Sequence, residues 1–334
     1  MKTKETIETN SPVRYNMNSI TYRRLCNDHI RFEHKYASVF KNAFLCKLLT
    51  NYLCFFQHTN ISSVETSITK CLNGNYKMKK GNSGRLSVSS ALAKKIKEFD
   101  FYKDKNFNKS AVFSFILEKF SSMPFSEREK VYFYDIYSLL ANCINNLKMI
   151  RIEYKEKDNK KEPENKTYDI IPYDIVVDDN SFSYYLIGYA KDNSIDSDYM
   201  IRSFKLSRII SCRSTHKDCS LKKVIKYKIQ NKLAKYGAAY IEDNDNPSEI
   251  IVRLSKKGYE LFFTSIARQR PVPITEPEPD KEKTGFYILK FDCSYSQIRN
   301  YFFSFGEDAE VLSPTEFREK FIRDYNKALK LYSE

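Results

Sequence analysis

The chain has 334 residues, enough for two or three domains with separate cores, and carries 56 Lys and Arg against 42 Asp and Glu, a net charge of +14. The excess is lopsided: residues 1–150 hold 24 basic and 12 acidic side chains and residues 151–334 hold 32 and 30, so a polyanion partner is expected for the N-terminal region. No run of 18 apolar residues occurs, and Met1-Lys2-Thr3-Lys4-Glu5-Thr6 lacks the apolar core of a secretory signal, which argues against a membrane partner and for a cytoplasmic protein.

Residues 1–11 are polar and predict a disordered lead. Val13-Arg14-Tyr15-Asn16-Met17-Asn18 alternates apolar and polar side chains, as a half-buried strand does. Asn18 or Ser19 then caps a helix to about Lys35. Ser38 caps a second, from Val39 to about Phe56, with a broad apolar face that includes Phe40, Phe44, Leu48, Leu49 and Leu53. The order recurs. Arg85-Leu86-Ser87-Val88-Ser89 alternates in the same phase, Ser90–Phe101 reads as a helix, and another opens at Lys109 or Ser110 and runs to Phe120. Met17 then corresponds to Val88, and Gly74–Gly84, with Lys77, Lys79 and Lys80, joins the copies. One strand–helix–helix unit cannot close a core alone, so the repeat predicts that two copies pair. This duplicated unit, residues 12–122, resembles the ribbon-helix-helix family, whose paired strands enter the major groove of DNA. The resemblance implies an outward face of Arg14, Asn16, Asn18, Arg85, Ser87 and Ser89 that contacts nucleic acid. Val13, Tyr15, Met17, Leu86 and Val88 would face the helices. A winged-helix or other helical arrangement is the alternative.

Residues 123–148 link this region to the next through an amphipathic helix, Glu127–Lys148, with Val131, Phe133, Ile136, Leu140 and Ile144 on its apolar side. Residues 149–216 hold short β-branched and aromatic runs: Met149–Lys155, Asp169–Val177, Tyr184–Tyr189 and Ile201–Ile210. Asp, Asn and Ser clusters break them, the pattern of consecutive antiparallel strands, and a small barrel would remove their open edges. In the last run a period of two puts Arg202 and Arg208 on one face and Lys205 on the other, unless a bulge intervenes. An exposed, solvated strand would carry such charges too. The stretch resembles the WYL domain at Ile171-Pro172-Tyr173, at Tyr184-Tyr185-Leu186-Ile187-Gly188-Tyr189 and at Arg202-Ser203-Phe204-Lys205-Leu206-Ser207-Arg208-Ile209. Tyr184 replaces the Trp of the family name, and Ser207 a usual acidic residue. The resemblance implies an Sm-like β-barrel. It also implies a nucleic-acid or nucleotide-type ligand held by Tyr185, Arg202, Lys205 and Arg208, with Tyr173 a further candidate.

Residues 217–248 form a bridge, a basic helix over Leu221–Tyr236 and an acidic turn over Ile241–Ser248. Residues 249–334 read as a separate α/β unit with strands at Ile250–Leu254 and Gly285–Cys293, a proline-rich loop between them, and a final helix from about Pro314 to Leu331. This unit resembles the extension that follows WYL barrels, at Phe305-Gly306, Ala309-Glu310-Val311-Leu312 and Pro314, which implies dimer contact or ligand gating. The predicted fold class is multidomain α+β.

Little in the chain suggests catalysis. There is no glycine-rich phosphate loop, no His-Glu-x-x-His and no nucleophile elbow, and His29, His34, His58 and His216 form no acid–base set. Eight cysteines include no Cys-x-x-Cys pair, and Cys212, His216 and Cys219 fit no common zinc spacing. No enzyme, cofactor or metal is therefore expected. With 25 Tyr and 24 Phe among many cations, rings are available to stack unpaired bases. The joined architecture resembles the WYL accessory proteins encoded beside type VI-D, RNA-targeting CRISPR effectors. That resemblance implies a non-catalytic homodimer that binds single-stranded RNA and enhances the effector nuclease. The alternative is a transcriptional regulator of a defence locus, with duplex DNA on the ribbon and a nucleotide or oligonucleotide sensed by the barrel. In a pure scaffold, Arg202 and Arg208 would be dispensable.

Overall fold

The computed structural model describes residues 12–33, 42–59, 66, 68, 81–103, 107–156, 164–178, 181–195, 197–241, 249–264 and 270–333. The polar lead, Ser38 with Val39 and Phe40, the lysines at 77, 79 and 80, and most of the acidic turn lie outside these residues.

Two strand–helix–helix runs open the chain: β1 (Val13–Met17), α1 (Ser19–Glu33) and α2 (Asn42–Thr59), then β2 (Asn82–Leu86), α3 (Ser90–Ile96) and α4 (Lys109–Ser122). Their strands pair antiparallel, with Val13 opposite Leu86, Arg14 opposite Arg85 and Asn16 opposite Ser83. Tyr15 lies opposite Gly84, where a Cβ would fall 2.3 Å from the Tyr15 hydroxyl, so the ring crosses the ribbon in the space the glycine leaves.

The second strand ends earlier than its alternation predicts. Ser87 donates its N–H to Asn42 Oδ1 (2.8 Å), and its carbonyl accepts from Asn42 Nδ2 (2.8 Å). Ser89 Oγ accepts the Leu92 N–H (3.3 Å) as the N-cap of α3. Side chains thus claim the backbone groups that a longer strand would need. Ser87, Val88 and Ser89 are not ribbon residues. Asn18 also lies beyond its strand, where its Oδ1 caps α1 by accepting the Thr21 N–H (2.7 Å).

The predicted linking helix is two: α5 (Phe125–Tyr132) and α6 (Tyr134–Asn145), broken at Phe133. The break turns both Tyr132 and Phe133 inward, and Phe32 and Phe44 each stack on Tyr132 with centroids 5.0 Å away. Asp28 on α1 accepts from Arg128 Nε (2.6 Å) and Nη2 (3.2 Å) in the same interior, and Arg31 pairs with Glu129 at 3.2 Å.

Next come β3 (Lys148–Lys155), β4 (Asn165–Val177), β5 (Tyr184–Asp192), β6 (Met200–Lys205) and β7 (Ile209–Asp218), in one sheet of order β6-β5-β4-β3-β7. The order is linear, and among the described residues no pairing joins its two ends into a closed barrel. The run 201–210 is not a single strand. Leu206 and Ser207 are both buried, at 0% and 8% exposure, and strand alternation cannot bury two successive side chains on one face. The chain takes a 3-10 turn over Leu206–Arg208 instead.

After this sheet come α7 (Lys223–Tyr236), β8 (Ile250–Ser255), α8 (Lys256–Thr264), β9 (Glu278–Pro279), β10 (Phe286–Phe291), α9 (Tyr295–Phe302), β11 (Ala309–Ser313) and α10 (Thr315–Lys330). The last four strands form a sheet of order β11-β8-β10-β9 over a core that includes Val252, Leu254, Phe262, Phe291, Phe302 and Phe321. The fold is thus mixed α and β, with three sheets among the described residues. The chain gathers into two compact units, one of 1–146, 150–166 and 206–215, the other of 147–149, 167–205 and 216–334. No helix among the described residues is long and apolar enough to cross a membrane.

Candidate nucleic-acid interface

Alternation along the ribbon buries Val13, Met17 and Leu86 on its helix side and leaves Arg14, Ser83 and Arg85 exposed on the other, with Asn16 half-buried beside them. The Asn16 N–H donates to Ser114 Oγ (3.0 Å), which ties β1 to α4. Arg14 and Arg85 stand directly opposite each other. Like charges in that position destabilise an antiparallel pair. Neither has a carboxylate partner among the described residues. Ser83, which faces out opposite Asn16, was not among the residues expected from sequence. Its signal lay in Gly84, which reads as part of a linker but belongs to the ribbon strand, with Gly81 just before it.

In the central sheet, Tyr185 pairs with Lys205, Ile187 with Ser203 and Gly188 with Arg202. Tyr185 and Lys205 therefore share one face by register, and Arg202 lies on the other. The Tyr185 face is covered. Ile187 is buried with Leu221, Ile229, Ala238 and Ile241, and Tyr173, Tyr185 and Tyr189 pack at the margin of that cluster. Tyr173 sits where the β4–β5 register shifts, between Pro172 and Asp174. Both candidate tyrosines thus help to seat α7.

On the opposite face, the Arg202 guanidinium stands 5.2 Å from the centroid of the fully buried Tyr168 ring and donates through Nη1 to its hydroxyl (3.3 Å). Its Nε is buried without a hydrogen-bond partner among the described residues. Gly188 opposite keeps β4 and β5 close: a Cβ there would fall 2.5 Å from Ile170 Cγ2 and 2.9 Å from the Ile171 carbonyl. Arg208 has left the strand for the 3-10 turn, so it does not share a strand face with Arg202. The five barrel residues expected to surround one ligand are therefore split. Tyr173, Tyr185 and Lys205 lie on the helix-covered face, Arg202 on the other, and Arg208 in the turn.

Burial pushes the Cys212 thiol up to about 12, so it keeps its proton and offers no thiolate. Among the described residues no group of three His, Cys, Asp or Glu is placed to hold a metal ion.

The arginines sort into two kinds. Arg31, Arg128, Arg253, Arg299 and Arg318 each pair with a carboxylate. Arg14, Arg85, Arg202 and Arg208 have no such partner among the described residues, and neither do Arg23, Arg24, Arg213, Arg270 and Arg323. Guanidinium groups free of carboxylates remain available to phosphate.

Residues 135–214 match the family model of the WYL domain, so the chain carries a WYL domain, built on the strands just described. Over nearly its whole length the fold is similar to that of a solved structure described as a CRISPR Cas-related protein. The TM-score is 0.68 at 19% identity, covering 97% of this chain and 94% of that one. At that identity the likeness is one of fold. Proteasome accessory factor B/C of Arthrobacter aurescens matches at 13% identity and a TM-score of 0.29, over 75% of this chain and 37% of that one. No curated protein matches the sequence.

Proposed function

We propose that the protein is a non-catalytic accessory protein of a CRISPR RNA-targeting system, which binds single-stranded RNA and enhances the effector nuclease. The observation that carries this reading is the placement of four arginines without a carboxylate among the described residues, Arg14 and Arg85 opposite each other on the ribbon and Arg202 and Arg208 in the WYL segment. Guanidinium groups not neutralised by carboxylates attract a phosphate backbone. The WYL domain and the likeness to a CRISPR-related fold supply the context. In this reading the two strand–helix–helix runs act as a ribbon-helix-helix-like pair within one chain. The WYL strands form an opened relative of the Sm-like barrel, and the C-terminal unit makes a homodimer contact in the cytoplasm.

The test is an effector assay. Adding the protein to an RNA-targeting CRISPR nuclease from the same genome, loaded with its guide, is expected to speed cleavage of target RNA. The protein alone is expected to leave RNA intact. An unchanged effector rate, or RNA cleavage by the protein itself, contradicts the proposal. A second reading, a transcriptional regulator, is favoured by one observation: the Arg14–Arg85 pair projects from a two-stranded ribbon of the width a major groove admits.

A further inference from the structure

The segment Leu221–Tyr236 holds six lysines and no carboxylate, and α7 makes up most of it. The helix buries one edge. Ile229 and Tyr236 are inaccessible or nearly so, and Ile225 and Leu233 pack beside Ile229 against the sheet. At 3.6 residues per turn, Tyr227 projects almost opposite Ile229. It is 65% exposed. Lys223 lies one turn before it and Asn231 one turn after it on the same stripe, with Lys226 and Lys228 at its flanks. Lys235 pairs with Asp292, whereas Lys223, Lys226 and Lys228 have no carboxylate partner among the described residues. The first turn contains no acidic residue and its N-cap, Lys222, makes no side-chain cap. Lysines there oppose the helix dipole, a cost that a bound phosphate would relieve.

We propose that the outward face of α7 is a track for single-stranded nucleic acid, with backbone phosphates on Lys223, Lys226 and Lys228 and an unpaired base stacked on Tyr227. The inference rests on the nucleic-acid-binding reading above and places a contact outside residues 135–214, the span of the WYL match. An exposed ring set among lysines serves no core, and its face is open to a base that is not already paired. An interfacial membrane helix would instead present a continuous apolar face with lysines at its margins. Here Lys223, Gln230 and Asn231 interrupt the exposed stripe that Val224 and Tyr227 share.

The experiment uses the full chain and a labelled oligouridine, titrated over a series of salt concentrations. The triple variant Lys223→Gln, Lys226→Gln, Lys228→Gln is expected to weaken binding and to flatten the log–log salt slope by about 2, since each single-strand phosphate contact contributes about 0.7. Tyr227→Ala is expected to weaken binding about tenfold, whereas Tyr227→Phe retains it. If the wild type binds and these variants bind equally well, the track is wrong and the general reading survives. If the wild type fails to bind the oligomer, the general reading fails with it. Vesicles of phosphatidylcholine and phosphatidylserine form the last arm. Vesicle binding lost in the triple variant, with oligouridine binding intact, would give this face to a membrane surface and overturn the proposal.

Discussion

Arg128→Met is expected to lower the unfolding free energy of the N-terminal unit by about 3–5 kcal/mol. Asp28 is fully buried, and Arg128 is the side chain that meets it with two hydrogen bonds. The same guanidinium donates to the Met123 carbonyl (2.7 Å), which fixes the entry into α5. Methionine fills much of the volume but leaves a carboxylate in an apolar interior. Burial already pushes the Asp28 carboxyl above its ordinary range, against the downward pull of Arg128 and its neighbours. Without Arg128 only the smaller pulls of Arg31 and Arg24 oppose that upward push. The folded variant then holds its proton to higher pH than the unfolded chain does, so its stability falls as pH rises above about 4 and recovers as pH returns there. Urea unfolding of wild type and variant at neutral and acidic pH measures both effects. Adding Asp28→Leu to Arg128→Met is expected to recover much of the loss, because the uncompensated charge is gone. A double variant less stable than Arg128→Met would show that the pair itself contributes the stability.

Arg14→Ala with Arg85→Ala is expected to cut duplex DNA affinity on the order of 100-fold at low salt, about 1–3 kcal/mol for each arginine. The same change is expected to leave thermal stability equal or slightly higher. The two guanidinium groups face each other across the ribbon without a carboxylate, and relief of their repulsion is worth about 0.2–1 kcal/mol. Opposite signs in binding and stability mark a residue pair kept for a ligand. Circular dichroism melts beside the titrations report both. A double variant that loses stability along with binding would make the pair structural.

Much of the fold was legible because it follows from periodicity. The alternation of Val13 to Met17, the cap at Asn18 and the apolar stripes of the N-terminal helices are local signals, and they placed two strand–helix–helix runs correctly. The outward placement of Arg14 and Arg85 followed from that alternation, whereas their standing opposite each other came only with the register. What failed depended on partners distant in sequence. Ser87 left the ribbon because Asn42, 45 residues away, takes its backbone groups. Arg208 left its strand because Leu206 and Ser207 are both buried. The grouping of Tyr185 with Arg202 failed for another reason. Family residues are known as a set, but the register puts these two on opposite faces, one of them under a helix. The basic helix was visible in sequence, yet its outward stripe of Lys223, Tyr227 and Asn231 could be told from its buried edge only once Ile229 was placed.

The most direct measurement is a pair of titrations of the intact protein at matched salt, one with single-stranded RNA and one with duplex DNA from its own promoter. Tight binding to RNA is expected, with duplex DNA bound weakly and lost steeply as salt rises. Tight, sequence-selective binding to the promoter with little affinity for RNA would contradict it, and would make the ribbon the reading head of a transcriptional regulator.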